Sequence, residues 1–406
     1  MDEMRCNIGI YNLQMKAMGG GEKLTLVLAE HLSSTHNVSL FCAEPLDIPS
    51  LEQFFGVDLS RVTVTSLNSV GPLVRVAEKM FGGLALSLHH YRQLKKTNLD
   101  IFINNSYASR LRCPASQGIF MCMFPHTAQH LGQNGIRGIR SAFVSWIERR
   151  LNESPGKAID SYLKVVAISQ YSADWLRQMW KRGSQIIYPP CDDMGPPATK
   201  GNIILNVGRF IPGADDDQRH HKGQEILLET FSRMTDLHRE GWELHFAGSV
   251  GSDESSERFA NMLRNKAEGF PVFFHFNVRR DEMQDLYRRA AVYWHATGYG
   301  VDVNRYPAKH EHFGIATVEA MSAGAVPAVY SSGGQKEIVT NGVDGFWWDD
   351  IDTLVSQTRR LVNEPALRCE LSNRAILSSK RFRREAFGAR VDQLIEELLS
   401  ERTAGL

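Results

Sequence analysis

Residues 311–331, EHFGIATVEAMSAGAVPAVYS, lead from a loop through a short helical stretch into a strand. Glu311 lies in the loop, and Glu319 lies one or two turns inside the helical stretch. The run AVPAVYS at 325–331 is predicted to be the strand, because short apolar runs bounded by turn residues are typical of buried strands. Helices that alternate with strands build parallel α/β sheets. This stretch therefore predicts an α/β fold.

The same alternation extends along the chain in both directions. Helical segments separate the apolar runs, and in the segment 22–32 Leu24, Leu28 and Leu32 fall on one face. The runs predicted to be strands are 6–11, 37–43, 61–67, 100–104, 118–124, 164–169 and 185–190 in the first half, and 202–208, 243–249, 271–277, 291–297 and 325–331 in the second. Two parallel sheets are therefore expected in succession.

A proline-rich stretch, YPPCDDMGPPATK at 188–200, interrupts this alternation. Because proline fixes the backbone and lacks an N–H donor, we place a domain boundary there. The predicted parts are a Rossmann-like domain over 1–190, a second one over 191–383, and a C-terminal helix over 384–406. That helix is amphipathic and is expected to pack back toward the first domain; its apolar stripe consists of Phe387, Val391, Leu394 and Leu398. Two such sheets are expected to leave a cleft at the carboxyl ends of their strands, where these folds bind ligands.

Length and composition limit the class of protein. A chain of 406 residues is too long for one compact core, which predicts two or three domains. Lys plus Arg and Asp plus Glu both number 46, so no overall field attracts nucleic acid, and local groups must bind any anionic ligand. Six scattered cysteines without CxxC spacing indicate neither a zinc site nor a disulfide framework. Without a signal-peptide pattern or an apolar run long enough to span a bilayer, a cytoplasmic protein is expected.

Two motifs in the first half follow predicted strands. In MGGGEK, the glycines Gly19, Gly20 and Gly21 precede a helix, whose free N–H groups can bind an anion such as a diphosphate. The spacing matches neither GxGxxG nor a P-loop, and a plain turn into a helix is the alternative. In FPHT, His126 can hydrogen-bond a hydroxyl or a developing charge, and a structural histidine is the alternative.

Two cations mark the start of the second half. In NVGRFIPGADDDQRHHKGQE, 206–225, Arg209 follows the first strand and Lys222 precedes a helix. Both can hold and neutralise a diphosphate, Arg209 through a bidentate contact and Lys222 as a point charge, whereas solvated surface charges are the alternative. The acids and histidines between them suggest metal ligands, but such loops are usually solvated, and no metal is expected.

The stretch EHFGIATVE at 311–319 combines two acids with a helix start. The N–H groups near Phe313, Gly314 and Ile315 lie at the positive end of the helix. This arrangement can hold sugar hydroxyls at one acid, phosphate at the amides and ribose hydroxyls at the other acid. The alternative, a surface loop with capping acids, explains one glutamate better than it explains the pair.

These residues resemble a known family. Glu311 and Glu319, with seven residues between them, and the following AMSAGAVPAVYSSGG and NGVDGFWW look like the E-x7-E region of retaining glycosyltransferases of family 4, which have the GT-B fold. MGGGEK resembles the glycine loop of that family, FPHT its sugar-contacting histidine, and NVGRF with KGQE its phosphate-binding Arg and Lys. AISQYSADWL and IYPPCD resemble the segment that ends its first domain. The resemblance therefore extends over most of the chain.

The resemblance implies an α/β architecture of the GT-B type, with two Rossmann-like domains facing each other across a deep cleft. The first domain would bind the acceptor and the second the nucleotide-sugar donor. Arg209 and Lys222 are implied to hold the donor's diphosphate, Glu311 to contact hydroxyls of the donor sugar, and His126 to contact a donor hydroxyl at the reacting face.

Further donor-binding residues are implied in both domains. Glu319 would bind the ribose, and the backbone at Phe313, Gly314 and Ile315 would meet phosphate or sugar oxygens. His312 stands where glycine is also common, and we expect it to narrow the sugar pocket. Gly19, Gly20 and Gly21 complete the implied set.

The implied reaction transfers a hexose from GDP-mannose or a UDP-hexose to a glycan, a lipid-linked acceptor or a small hydroxyl compound, in polysaccharide biosynthesis. No acid is marked as a nucleophile, so we favour attack on the face from which the diphosphate leaves, without a cofactor or metal. The alternatives are a non-catalytic nucleotide-sugar-binding partner subunit and another GT-B enzyme, such as a nucleotide-sugar epimerase. The presence of Arg209, Lys222 and Glu311 favours catalysis.

A basic amphipathic helix is predicted at 136–151, IRGIRSAFVSWIERRL. Four arginines and Trp146 surround its apolar face, a pattern that fits peripheral contact with the inner face of an anionic membrane. The alternative is a core helix of the first domain with solvated arginines.

Overall fold

The computed structural model describes residues 5–15, 18–67, 83–107, 109–126, 156–212 and 221–403. The chain divides into two compact units, of which the first comprises 1–189 with 387–406 and the second comprises 190–386. Each unit contains a parallel sheet with helices.

The first unit contains a seven-stranded parallel sheet in the order β3-β2-β1-β4-β5-β6-β7. Its strands are β1 (Asn7–Tyr11), β2 (Asn37–Cys42), β3 (Val62–Ser66), β4 (Ile101–Asn104), β5 (Gln117–Cys122), β6 (Lys164–Ala167) and β7 (Gln185–Ile186). Its helices are α1 (Gly20–Ser33), α2 (Ile48–Phe55), α3 (Gly83–Leu94), α4 (Gly156–Ile159) and α5 (Gln170–Trp180). Every residue of β4 and β5 is buried, as expected for central strands covered on both faces.

The second unit contains a six-stranded parallel sheet in the order β10-β9-β8-β11-β12-β13. Its strands are β8 (Ile203–Val207), β9 (Glu243–Gly248), β10 (Val272–Phe276), β11 (Val292–His295), β12 (Val326–Tyr330) and β13 (Phe346–Trp348). Its helices are α6 (Gln224–Ser232), α7 (Thr235–Arg239), α8 (Glu254–Lys266), α9 (Arg280–Arg289), α10 (Ile315–Ser322), α11 (Gln335–Ile338), α12 (Ile351–Asn363) and α13 (Pro365–Ser379). Separate apolar clusters, one containing Trp294 and the other Tyr293, include alternate residues of β11 and so lie on opposite faces of the sheet.

The last helix, α14 (Arg384–Thr403), contributes its residues from Phe387 onward to the first unit. Asp392 accepts a hydrogen bond of 2.7 Å from Nε2 of His31, which belongs to α1. Glu401 forms an ion pair of 2.5 Å with Lys164 of β6. The apolar stripe of the helix is buried, with Phe387, Val391, Leu394 and Leu398 at most 4% exposed. This helix therefore packs against both α1 and the sheet of the first unit.

The first and last residues of the second unit are linked through the side chain of Asp192. The side chain of Asp192 is 5% exposed and accepts from two guanidinium groups, Arg280 at 2.8 Å and Arg384 at 2.7 Å. Beside it, the N–H of Cys191 donates to the carbonyl of Phe382 at 2.9 Å. The beginning of the unit, the start of α9 and the start of α14 thus share one buried carboxylate.

Two strands differ from their predictions. The predicted run at 185–190 forms only a two-residue strand, because the prolines that end it lack N–H groups for a ladder. No strand is predicted at 346–348, where β13 pairs with β12. Three residues of FWW are too short to show the alternation by which strands are recognised.

Several predictions fall on other parts of the chain. The basic helix at 136–151 and the acidic loop at 213–220 lie outside the described residues. Within the part of the chain that the structure describes, no helix is both long enough and apolar enough to cross a membrane.

Candidate functional site

The strand order of the second sheet reverses between β8 and β11. In an open parallel sheet, the loops that leave the carboxyl ends of two such strands diverge and create a site for a ligand. Gly208 and Arg209 follow β8, whereas Ala296 and Thr297 follow β11. The two strands are direct neighbours, with Val292 opposite Ile204. The switch point therefore lies beside Arg209, one of the predicted site residues.

Lys222 is brought to this switch point by close backbone packing. The next residue, Gly223, has φ +69° and caps α6, and a Cβ at this position would lie 2.7 Å from Cβ of Ala296. The stem of Lys222 lies against Gly208, where a Cβ would come within 2.6 Å of its Cγ. Only glycine allows both approaches without displacement. The glycines at 208 and 223 thus place the lysine between the ends of β8 and β11.

Glu311 forms an ion pair with Lys222. The ammonium nitrogen lies 2.6 Å from Oε2 of Glu311, and the two side chains are 19% and 17% exposed. The backbone of the glutamate is held in turn, because the N–H of Gly334 donates to its carbonyl at 2.8 Å. The site therefore contains one opposed pair of charges at the end of the central strands.

Two further donors reach the same carboxylate oxygen. Oε2 of Glu311 lies 3.3 Å from Oγ1 of Thr297 and 3.4 Å from Nε2 of His295. Both residues are buried at the end of β11. Burial lowers the pKa of His295, and the hydrogen bond to Glu311 opposes this shift. At neutral pH the imidazole is therefore uncharged.

The helix that carries Glu319 begins at the predicted position. Gly314 is the N-cap of α10, with φ +125°, and no side chain caps the helix start. Phe313 is buried and packs edge-on against Phe382, with ring centroids 5.3 Å apart. Ile315 is half-buried, as is His312. The apolar side chain at 313 thus belongs to the core, while the turn places backbone N–H groups at the positive end of an eight-residue helix.

Glu319 and Glu311 both lie near buried tyrosines of the second unit. The hydroxyl of Tyr287, from α9, donates to Oε2 of Glu319 at 3.1 Å. Burial raises the pKa of Tyr293, and the charges of Glu311 and Glu319 raise it further. Both acids therefore lie within electrostatic reach of Tyr293, near the centre of the sheet.

Arg209 differs from Lys222 in its exposure. It is exposed, and its carbonyl accepts a hydrogen bond of 3.1 Å from Nε2 of Gln224 in α6. That bond fixes the backbone of the arginine relative to the helix that follows Lys222. The arginine is therefore anchored through its backbone beside the ion pair.

The glycine loop of the first unit lies at an equivalent switch point, between β1 and β4. Asn105, which follows β4, donates to the carbonyl of Gly21 at 3.5 Å, and a Cβ at Gly21 would lie 2.7 Å from Cε of Met123. The helix start already has a carboxylate partner, because the N–H of Gly19 donates to Oε2 of Glu22 at 2.7 Å. Gly20 is the first residue of α1.

His126 is 3% exposed. Its ring lies edge-on to Trp180, with centroids 5.1 Å apart, and its carbonyl accepts from Nε1 of the same tryptophan at 3.1 Å. The ring centroid of Tyr107 lies 6.3 Å from that of His126. Two aromatic side chains of its own unit thus lie beside the histidine.

The second unit therefore places Arg209, Lys222 and Glu311 at the carboxyl ends of its central strands β8 and β11. Sequence reasoning missed His295 and Thr297. The signal that identified Arg209, a polar residue at the end of a strand, was also present in AVYWHAT. Among the residues that the structure describes, no group of three or more His, Cys, Asp or Glu side chains is placed to hold a metal ion.

Two α/β units in succession, each with a parallel sheet and a switch point, match the architecture of GT-B glycosyltransferases. A model described as Glycosyltransferase Family 4 matches residues 18–193, and one described as Glycosyl transferases group 1 matches residues 195–378. Together these models account for nearly the whole chain. The protein belongs to the family 4 glycosyltransferases.

Curated relatives and solved structures agree with this assignment. The GDP-Man:Man(3)GlcNAc(2)-PP-Dol alpha-1,2-mannosyltransferase of Dictyostelium discoideum is 25% identical over 267 residues, which are 60% of this chain and 49% of the relative. The chain thus spans about half the length of the curated relatives it matches. Anabaena HepE, solved in complex with UDP and glucose, has a TM-score of 0.68 at 16% identity and covers 97% of this chain and 100% of its own. Sucrose-phosphate synthase of Thermosynechococcus elongatus also has a TM-score of 0.68, at 17% identity, covering 98% and 100%. At these identities the two structures establish the fold.

Proposed function

We propose that this protein is a retaining glycosyltransferase that moves mannose from GDP-mannose to a hydroxyl group of a lipid-linked glycan. The observation that carries the proposal is the ion pair of Lys222 with Glu311, which places a cation and a hydroxyl-binding acid 2.6 Å apart at the switch point. The similar mannosyltransferases carry GDP-Man and PP-Dol in their names, which supports this choice of donor and acceptor.

In this proposal the donor's diphosphate lies between Arg209 and Lys222. The guanidinium of Arg209 is exposed and suits a bidentate contact with phosphate oxygens, whereas the ammonium of Lys222 acts as a point charge. The N–H groups at the start of α10 add partial positive charge. Groups of the chain itself thus stabilise the negative charge that develops on the leaving diphosphate, and the reaction requires no metal ion.

The proposed reaction is a substitution on one face of the sugar. The acceptor oxygen bonds to the anomeric carbon on the side from which the diphosphate leaves, through an oxocarbenium-like transition state. The proton of the acceptor hydroxyl passes to the departing phosphate oxygen. Because the acceptor oxygen itself bonds to the anomeric carbon as the phosphate leaves, no carboxylate of the chain is a nucleophile. Glu311 binds hydroxyls of the donor sugar away from the reacting carbon, and Glu319 binds the ribose.

We expect sugar transfer to continue when metal ions are removed. The purified protein is incubated with radiolabelled GDP-mannose and lipid-linked oligosaccharide in EDTA, and the labelled lipid is extracted and counted. The rate should equal that without EDTA, and NMR of the product should show the anomeric configuration of the donor. UDP-glucose serves as the control donor and should yield no labelled lipid.

A rate lost in EDTA and restored by manganese would contradict the metal-independent reaction. An inverted product would contradict the same-face substitution. Transfer from UDP-glucose but not from GDP-mannose would show that the donor is wrong while the class of enzyme is right.

A further inference from the structure

His295 is a buried polar residue at the candidate site to which the proposed function gives no role. It is the last residue of β11, and its side chain is 5% exposed. A buried imidazole at the end of a central strand is costly unless its polar atoms are paired. Its Nε2 faces Oε2 of Glu311 at 3.4 Å. The histidine is therefore directed at the acid that the proposal assigns to the donor sugar.

The donors that converge on Oε2 of Glu311 differ in how firmly they are held. Lys222 reaches the oxygen, at 2.6 Å, from the end of a flexible four-carbon stem. His295 and Thr297 lie on either side of Ala296, in a backbone segment continuous with β11, and both are buried. The sheet therefore fixes the histidine and the threonine, whereas the lysine can turn toward another anion.

On the proposed function, donor binding changes which groups contact Glu311. The diphosphate competes with Glu311 for the ammonium of Lys222, because both are anions that a single point charge can serve. Once the ammonium turns toward phosphate, the carboxylate still has the donors fixed to β11. Those donors then hold its orientation toward the sugar.

We infer that His295 is a positioning residue for the donor sugar: its Nε2–H holds the carboxylate of Glu311 in place when Lys222 engages the diphosphate. The neutral imidazole suffices for this role, since it donates from one nitrogen. The histidine contacts Glu311 rather than the reacting atoms. A change of His295 should therefore weaken the binding of a ligand that contains the sugar and leave unchanged the binding of a ligand that lacks it.

The test compares GDP-mannose with GDP by isothermal titration calorimetry in EDTA. His295→Leu removes the donor and should weaken binding of GDP-mannose about tenfold, as expected for loss of a hydrogen bond to a charged group, while binding of GDP stays within about twofold. His295→Gln keeps a donor at the position of Nε2 and should bind GDP-mannose within about threefold of the wild type. The value of kcat for mannose transfer should follow the same order.

The matched control is His245→Leu. His245 is also a buried histidine of the same sheet with a glutamate partner, at 3.0 Å from Glu243, but it lies on β9. The His245→Leu substitution should leave the affinities for GDP and GDP-mannose unchanged.

Equal weakening of GDP and GDP-mannose by His295→Leu would overturn the inference, and so would a His295→Gln protein as impaired as the leucine variant. Unchanged binding of GDP-mannose by His295→Leu would overturn it as well, with the proposed function intact. A folded wild-type protein that binds neither ligand would instead contradict the proposed function itself.

Discussion

Replacing Lys222 with methionine is expected to lower kcat for mannose transfer by about 10²–10³-fold while the protein remains folded. Methionine keeps an aliphatic stem against Gly208, so the variant removes mainly the charge. Without the ammonium, the charge on the leaving diphosphate is stabilised by fewer groups in the transition state. Steady-state transfer assays give kcat, and circular dichroism checks the fold.

The Lys222→Met change also removes the ammonium that lies 2.6 Å from Oε2 of Glu311. The double variant Lys222→Met with Glu311→Gln removes both charges and should melt no lower than the single variant. It should remain at least as inactive, because neither change restores a cation for the diphosphate.

Lys266→Met is the matched control for Lys222. Lys266 forms an ion pair of 2.9 Å with Glu225 in the same unit, but both side chains are at least half exposed. Such a pair contributes little to the stability of the fold, and Lys266 is not among the residues that the proposal assigns to the diphosphate. The value of kcat should therefore stay within about twofold of the wild type. A Lys222→Met protein with wild-type kcat would contradict the assigned role of the lysine, as would an equal loss in the Lys266 variant.

Replacing Asp192 with alanine should lower the free energy of unfolding of the second unit by about 3 kcal/mol. The carboxylate is 5% exposed and serves Arg280 and Arg384, so its removal leaves two partly buried guanidinium groups without their shared partner. Urea unfolding followed by near-ultraviolet circular dichroism measures the change.

Asp285→Ala provides the comparison for Asp192. Its pair with Arg289 lies on α9 at 3.4 Å, with both side chains more than half exposed. A helix-surface pair of this kind contributes only about 0.3–0.5 kcal/mol. Equal shifts in the two variants would show that burial adds nothing to the Asp192 cluster.

The sequence predicted the two sheets well for a physical reason. Strands of a parallel sheet are covered on both faces, so they form continuous apolar runs such as IILNV and VYWH, which stand out between amphipathic helices. The edge strand Phe346–Trp348 was not predicted because three residues carry no periodicity, although its pairing with β12 is regular.

The candidate site was predicted in part. Arg209, Lys222 and Glu311 could be found because charged residues after strands or before helices stand out against apolar neighbours. His295 carries the same signal, a polar residue at the end of an apolar run, but nothing in the sequence connects it to Glu311. Its role follows from the 3.4 Å approach to Glu311, which only the folded chain provides.

Asp192 shows a different limit of sequence reasoning. It lies in the proline-rich stretch that was interpreted only as a domain boundary. Its partner Arg384 is 192 positions away in the chain, and no local pattern connects the two. A buried ion pair of this kind is determined by the tertiary fold, so it can be recognised only once the distant segments are placed.

Calorimetry of GDP binding in EDTA, with the wild type and with the double variant Arg209→Ala and Lys222→Met, measures whether these two cations bind a nucleoside diphosphate without a metal. We expect the wild type to bind GDP and the folded double variant to bind it at least about a hundredfold more weakly, since two charge-assisted contacts are lost. Equal affinity of the two proteins for GDP would contradict this role of the two cations.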